Sequence, residues 1–180
     1  MEERNLFGDE ELIEGCRNHD RKFQELLYEK YAKKMYGICL SYAKDRTMAQ
    51  EILQDGFIKV FNKINGFRKE GSLEGWIRRI ITNTALDHLR KKSKLYEFFD
   101  ENSEVEEERL DNSILDNIHA DGIFKLIKQL PEGAKAVFNL YAVEGYTHRE
   151  IAEKLEITEG TSKSQFKRAR SLLKALLRDF

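Results

Sequence analysis

The stretch Tyr146 to Leu177, YTHREIAEKLEITEGTSKSQFKRARSLLKALL, constrains the chain more than any other. It reads as two helices with a tight turn between them. Thr147 caps the first, and Glu150 three residues on completes a capping box. Ile151, Ala152 and Leu155 form its apolar face, with Ala152 small enough for a second helix to cross closely, and Ile157 fills the turn. Thr158 caps the second helix, which runs on from Thr161 without Gly or Pro. Phe166, Ala169, Leu173, Leu176 and Leu177 line one side of it; Lys163, Ser164, Lys167, Arg168, Ser171 and Lys174 line the other. The second helix alone is an ordinary amphipathic helix with a solvated basic face. Behind a capped first helix and a short turn, its polar and cationic first turns fit a helix-turn-helix that reads base edges.

The rest of the chain is compatible with an all-α protein. Long capped segments carry helical periodicity, Pro occurs once, at Pro131, and strand-like alternation is almost absent. Asp9 is expected to cap a short helix, Asp20 a second one running to about Lys44, and Thr47 a third through the capping box TMAQ. Asn65-Gly66 ends that helix, Phe67 to Gly71 is a loop, and Ser72 caps a fourth helix to about Ser93. Periodicity fails from Tyr96 and returns at Ser113; a further helix spans Ala134 to Ala142.

Charge divides the chain the same way. The formal net charge is −1, but residues 1–97 carry +3, residues 98–121 carry −8 and residues 122–180 carry +4. Two basic modules joined by an acidic segment suit a common polyanion. The expected organisation is two small helical domains, 1–95 and 113–180, joined by an acidic linker, 96–112.

Ser72 to Ser93, SLEGWIRRIITNTALDHLRKKS, is the second informative helix. At about 100° per residue, Ile77, Ile81, Ala85 and Leu89 share one side and Trp76, Arg79, Asn83, Asp87 and Arg90 the other. Between residues 78 and 94, Arg78, Arg79, Arg90, Lys91, Lys92 and Lys94 outnumber the one acid, Asp87. Nucleic acid would use an aromatic for stacking, an Asn for base edges and the cations for phosphates. Trp76 is equally well read as packing against another helix.

Other classes find little support. The four His are scattered without an HExxH, Cys16 and Cys39 fit no metal spacing, and there is no GxxxxGK[ST] loop, so no catalytic residue, metal or cofactor is expected. No apolar run is long enough to span a membrane, and the acidic N-terminus is not a signal peptide, which leads to the expectation of a cytoplasmic chain without direct membrane insertion. A regulator that binds DNA unaided would share the second half of the chain but has no need of ILQDGFIKVF or of the helix bearing Trp76 and Asn83.

In order and spacing, ILQDGFIKVF, GWIRRIITNTALDHLRK, LPEGAKAVF and EIAEKLEITEGTSKSQFKRAR closely resemble the extracytoplasmic-function (ECF) class of bacterial RNA polymerase sigma factors, of the sigma-70 family, from about Asp9 to Leu177. The resemblance implies a sigma-2 type domain followed by a sigma-4 type domain. It implies core RNA polymerase, promoter DNA and an anti-sigma factor as partners. Ile52, Leu53, Gln54, Asp55 and Phe57 would dock on the polymerase. Phe67, Arg78, Arg79, Asn83 and Arg90 would hold the minus-ten element, and Lys163, Ser164, Lys167 and Arg168 would read the minus-thirty-five element. The linker would thread the channel where RNA leaves. Three positions depart from the family pattern: Glu156 replaces a turn Gly, Ser162 a core-facing Val, and Ala134-Lys135 a Tyr-Arg pair. If position 156 needs positive φ, Glu costs on the order of 1 kcal/mol there.

Overall fold

The structure, a computed structural model, describes residues 7–91 and 126–178. Among the described residues every regular element is helical. The expected linker, 96–112, and the return of periodicity at Ser113 lie outside them. The chain divides into two compact units, residues 1–88 and 89–180.

The first unit is built on α1 (Asp9–Arg17), α2 (Arg21–Tyr42), α3 (Arg46–Lys63) and α4 (Leu73–Lys91), with a 3-10 turn at Ile64–Gly66 after α3. Helical spacing places Leu27, Tyr31, Met35, Cys39 and Tyr42 on the buried stripe of α2. Met48, Ala49, Ile52, Leu53, Gly56, Phe57 and Val60 are buried on α3, and Ile77, Ile81 and Ala85 on α4. Gly56 lets α3 and α4 approach closely, since a Cβ there would lie 2.3 Å from Ile81 Cδ1.

Two N-caps differ from expectation. Gly8, not Asp9, is the N-cap of α1, and Glu11 reaches back to accept from its N–H at 2.9 Å. Asp9 is instead drawn to α2, where Lys30 Nζ and Tyr31 OH both donate to its Oδ1 at 2.8 Å. Burial opposes ionisation of Asp9, but these two donors hold its carboxyl below the usual range. Asp45, not Thr47, caps α3 by accepting from the Met48 N–H at 2.8 Å. The helix thus starts at Arg46, and Thr47 lies within its first turn. Asp20 and Ser72 cap α2 and α4 as expected.

In the second unit, α5 (Glu132–Phe138) is followed by a wider π turn at Asn139–Val143, then α6 (His148–Leu155) and α7 (Glu159–Arg178). The single helix expected from Ala134 to Ala142 therefore changes pitch after Phe138. Leu126, Ile127, Leu130, Ala134, Phe138, Ala169 and Leu173 form the core, with Phe166, Leu176 and Leu177 packed against it. Lys135 is buried, and desolvation pushes its ammonium pKa down, offset in part by Glu132.

Candidate nucleic-acid and polymerase-binding faces

On α4, Trp76 is half-buried and packs on Phe67, ring centroids 5.3 Å apart. Arg79 is exposed, whereas Arg78, Asn83 and Arg90 are half-buried. Asp87, the acid on this stripe, pairs with Lys59 of α3 at 2.8 Å. That pairing offsets the negative charge of Asp87 on this face. Phe67 corrects the sequence reading. Its ring is only 5 % exposed, and its carbonyl accepts from Arg17 Nη2 at 3.0 Å. It is a support for Trp76 and presents no open stacking surface.

α3 requires a similar division. Ile52, Leu53 and Phe57, expected at a polymerase surface, are core side chains. Side chains that fill the core are not available to a partner, so what these three do is hold the helix. Gln54 and Asp55 are exposed. Asp55 Oδ2 is bonded to His88 Nε2 at 2.8 Å, which ties the carboxylate to α4. Sequence reasoning passed over Ile58, which is 51 % exposed one turn beyond Asp55, and Tyr28, which is 41 % exposed and packs edge-on to Phe57. Their signal was an apolar residue on the charged side of an otherwise patterned helix.

The helix-turn-helix is α6 and α7. Thr147 and Glu150 make the capping box, the Thr147 N–H donating to Glu150 Oε2 at 2.9 Å and the Glu150 N–H to Thr147 Oγ1 at 3.3 Å. Glu156 ends α6 at φ 57°, ψ 40°, in the left-handed region. The Ile157 N–H then donates to the Ala152 carbonyl at 3.1 Å, closing the turn. Thr158 Oγ1 accepts from the Thr161 N–H at 3.0 Å and opens α7.

Ser162 is fully buried, as its place on the core side requires, and its hydroxyl bonds His148 Nδ1 at 2.9 Å. The departure from Val thus creates a polar link between the two helices. His148 also stacks on Tyr141, centroids 4.5 Å apart and planes 19° from parallel. Burial, with a smaller push from Lys163, lowers its pKa. Sequence reading missed this residue because its partners lie outside the local helical repeat.

Lys163 and Ser164 are exposed on the first turns of α7, while Lys167 and Arg168 are half-buried one turn later. Lys163 pairs with Glu159 at 2.7 Å, and Ser164 Oγ donates to the Thr161 carbonyl at 2.9 Å. Gln165, not singled out in the sequence, is buried on the face that includes Ser162, Ala169 and Leu173. Neither cysteine offers a thiolate for chemistry: burial pushes Cys16 up to about 11 and Cys39 up to about 12.

A two-unit helical chain with a helix-turn-helix in its second half is a DNA-binding architecture. Comparison with known proteins narrows the class. Residues 27–95 match Sigma-70 region 2, and residues 121–173 match Sigma-70, region 4. The chain is 29 % identical over 177 residues to the RNA polymerase sigma-H factor of Pseudomonas aeruginosa, covering 92 % of this chain and 91 % of that one. It is 28 % identical over 176 residues to the ECF RNA polymerase sigma-E factor of Haemophilus influenzae, covering 92 % and 93 %. Two solved structures share the fold. One is CnrH in complex with the cytosolic domain of CnrY, with TM-score 0.50, 18 % identity and coverage of 95 % and 97 %. The other is the sigma factor RpoE in complex with the anti-sigma factor NepR from Bartonella quintana, with TM-score 0.52, 19 % identity and coverage of 86 % and 96 %. The chain belongs to the sigma-70 family, in its ECF class. It is an RNA polymerase sigma factor, which directs core polymerase to specific promoters and helps melt them for transcription initiation.

Proposed function

We propose that the two units divide promoter recognition between them, with functional domains at 1–95 and 113–180 and an acidic connector at 96–112. The first docks on core polymerase through Gln54 and Asp55, extended by the exposed Ile58, and holds the minus-ten element along Arg78, Arg79, Asn83 and Arg90. The second reads the minus-thirty-five element through Lys163, Ser164, Lys167 and Arg168. The observation that carries this reading is the capped α6–α7 pair, which leaves Lys163 and Ser164 exposed on the first turns of α7 while Ser162, Ala169 and Leu173 anchor its other side. The protein acts as a polymerase subunit without catalysis of its own, in the cytoplasm where polymerase works. An anti-sigma factor that covers these faces is the regulatory partner, by analogy with the two complexes that share the fold.

Run-off transcription by core polymerase and this chain on a promoter library is the test. Asn83→Ala should leave polymerase binding and minus-thirty-five preference intact while reducing permanganate reactivity of thymines in the minus-ten element. Reactivity equal to the parent would remove Asn83 from the melting surface. Specific duplex binding without core polymerase, and no promoter-dependent transcript with it, would favour a stand-alone regulator.

A further inference from the structure

The short α1 grips the loop between α3 and α4 at two points. Arg17, its last residue, donates from Nη2 to the Phe67 carbonyl at 3.0 Å. Glu10, in its first turn, accepts from Lys69 Nζ at 2.7 Å. The loop carries backbone strain at Lys69, which has φ 60°, while Gly71 takes φ 115° at no steric cost. A non-glycine residue in the left-handed region persists where surrounding contacts over-determine it. Here those contacts come from a helix some fifty residues earlier in the chain.

α1 is firm enough to serve as the fixed side. Leu12, Ile13, Gly15 and Cys16 are buried. Gly15 lies so close to Phe23 at the start of α2 that a Cβ would fall 2.1 Å from the ring. Arg17 is itself braced by Glu14 at 3.8 Å. At the other end the hydrogen bond and charge of the Lys69 ammonium hold the Glu10 carboxyl below the usual range. The two contacts differ in weight. The Glu10–Lys69 pair is exposed and weak by itself. The Arg17 bond is part-buried and made to a backbone carbonyl, so it fixes the chain path directly. Phe67 is the residue so held, and its ring supports Trp76.

We propose that α1 is a positioning element for the minus-ten surface: Arg17, assisted by Glu10, fixes the Phe67–Gly71 loop and the Trp76 ring above Phe67, and thereby sharpens selection among minus-ten sequences. Arg17 does this without touching DNA. The inference rests on the assignment of this loop and α4 to the minus-ten element.

The test uses holoenzyme assembled from core polymerase and the full chain. Transcripts are counted from a library with a constant minus-thirty-five element and a varied minus-ten element. Variants are Arg17→Ala, Arg17→Lys, Glu10→Lys and, as a control on the underlying assignment, Asn83→Ala. Arg17→Ala should shrink the ratio between preferred and disfavoured minus-ten sequences by about ten-fold, the low end of the effect of losing one hydrogen bond from a charged donor. Arg17→Lys should recover most of it, and Glu10→Lys should shift the same positions less. Polymerase affinity should be unchanged throughout. Uniform loss across all sequences, or an unaltered profile for both Arg17→Ala and Glu10→Lys, overturns the proposal. If Arg17→Ala fails to fold, Glu10→Lys decides alone, since Glu10 is 82 % exposed and outside the core. A changed profile in Asn83→Ala with none in the α1 variants refutes only the positioning role. No change in any variant refutes the minus-ten assignment and the positioning role together.

Discussion

Replacing Glu156 by Gly should stabilise the second unit. Glu156 sits at φ 57°, ψ 40°, where Cβ crowds the following carbonyl, at a cost of roughly 1–2 kcal/mol for a non-glycine residue. Gly removes that cost but gives the unfolded chain more freedom, which returns about 0.5–1 kcal/mol. The balance is a gain of about 0.5–1 kcal/mol. The Glu156 side chain is exposed, so little packing is lost with it. For a unit of this size 1 kcal/mol shifts the midpoint by about 4–8 °C, so the expected rise is a few degrees. The chain carries one Trp, and Trp76 belongs to the first unit. Its fluorescence therefore follows the first unit alone, while far-ultraviolet dichroism follows both. Glu156→Gly should move the second component of the dichroism melt upward and leave the fluorescence melt in place. Glu156→Asn should fall between Gly and Glu, because Asn tolerates this conformation, and Glu156→Val should lie below the parent. A Val variant as stable as the parent, or a Gly variant less stable, would refute the strain argument.

Asp55→Arg and Ile58→Asp should each lower affinity for core polymerase by about ten-fold or more, as for a central interface residue, with Ile58→Asp leaving the Trp76 melt in place and Asp55→Arg lowering it only by the loss of the His88 bond; unchanged affinity in titration counts against this face. Lys163→Ala should relax preference at one base pair of the minus-thirty-five element by about 1–3 kcal/mol, whereas Lys167→Ala should weaken all sequences evenly and reduce the salt slope by about one; both are read from DNA-library binding at two salt concentrations. His148 has a folded pKa below its ordinary 6.5, so stability it contributes is complete above that value and is lost as pH falls through the folded value. The second dichroism transition should therefore drop on acidification below about pH 6.5, and His148→Gln should flatten the dependence. Gly15→Ala should destabilise the first unit by about 1–2 kcal/mol, because overpacking against Phe23 exceeds the roughly 1 kcal/mol helix preference of Ala; the Trp76 melt reports it.

The helices were legible because each carries its own evidence: a cap, a periodic apolar stripe and a stop. The helix-turn-helix was legible for a further reason, since Thr147, Glu150 and Thr158 act within three residues of their partners. Misreadings arose where two local solutions compete. Asp45 and Thr47 both precede an apolar run, and only the Asp45 bond to the Met48 N–H decides between them. Asp9 has the chemistry of a cap, but Lys30 and Tyr31 claim its carboxylate from another helix. The site residues show the same limit. On α3, periodicity puts Ile52, Leu53 and Phe57 on the apolar repeat that fills the core and leaves Ile58 off it, but the resemblance assigns the core residues to the partner and passes over the one that faces out. Phe67 looked like a loop aromatic available to bases, until the fold brought Trp76 and Arg17 to it.

Charge counting has a related limit, with a consequence for how the faces bind. The sequence gives each module a surplus of cations, yet several are already engaged. Lys59 is held by Asp87, Lys163 by Glu159 and Lys69 by Glu10. The two exposed pairs, Lys163–Glu159 and Lys69–Glu10, contribute little stability, so a phosphate or a base edge can take the lysine at small cost. The carboxylate left behind still repels the backbone within a Debye length of roughly 8–10 Å. If α7 reads the minus-thirty-five element as proposed, Glu159 on its first turn would act against indiscriminate binding, because Lys163 would have to gain more from a base than it loses from Glu159. Glu159→Gln should accordingly raise affinity for all DNA sequences more than for the preferred one, and so reduce discrimination. A net charge hides this pairing, whereas the 2.7 Å contact between Lys163 and Glu159 shows it.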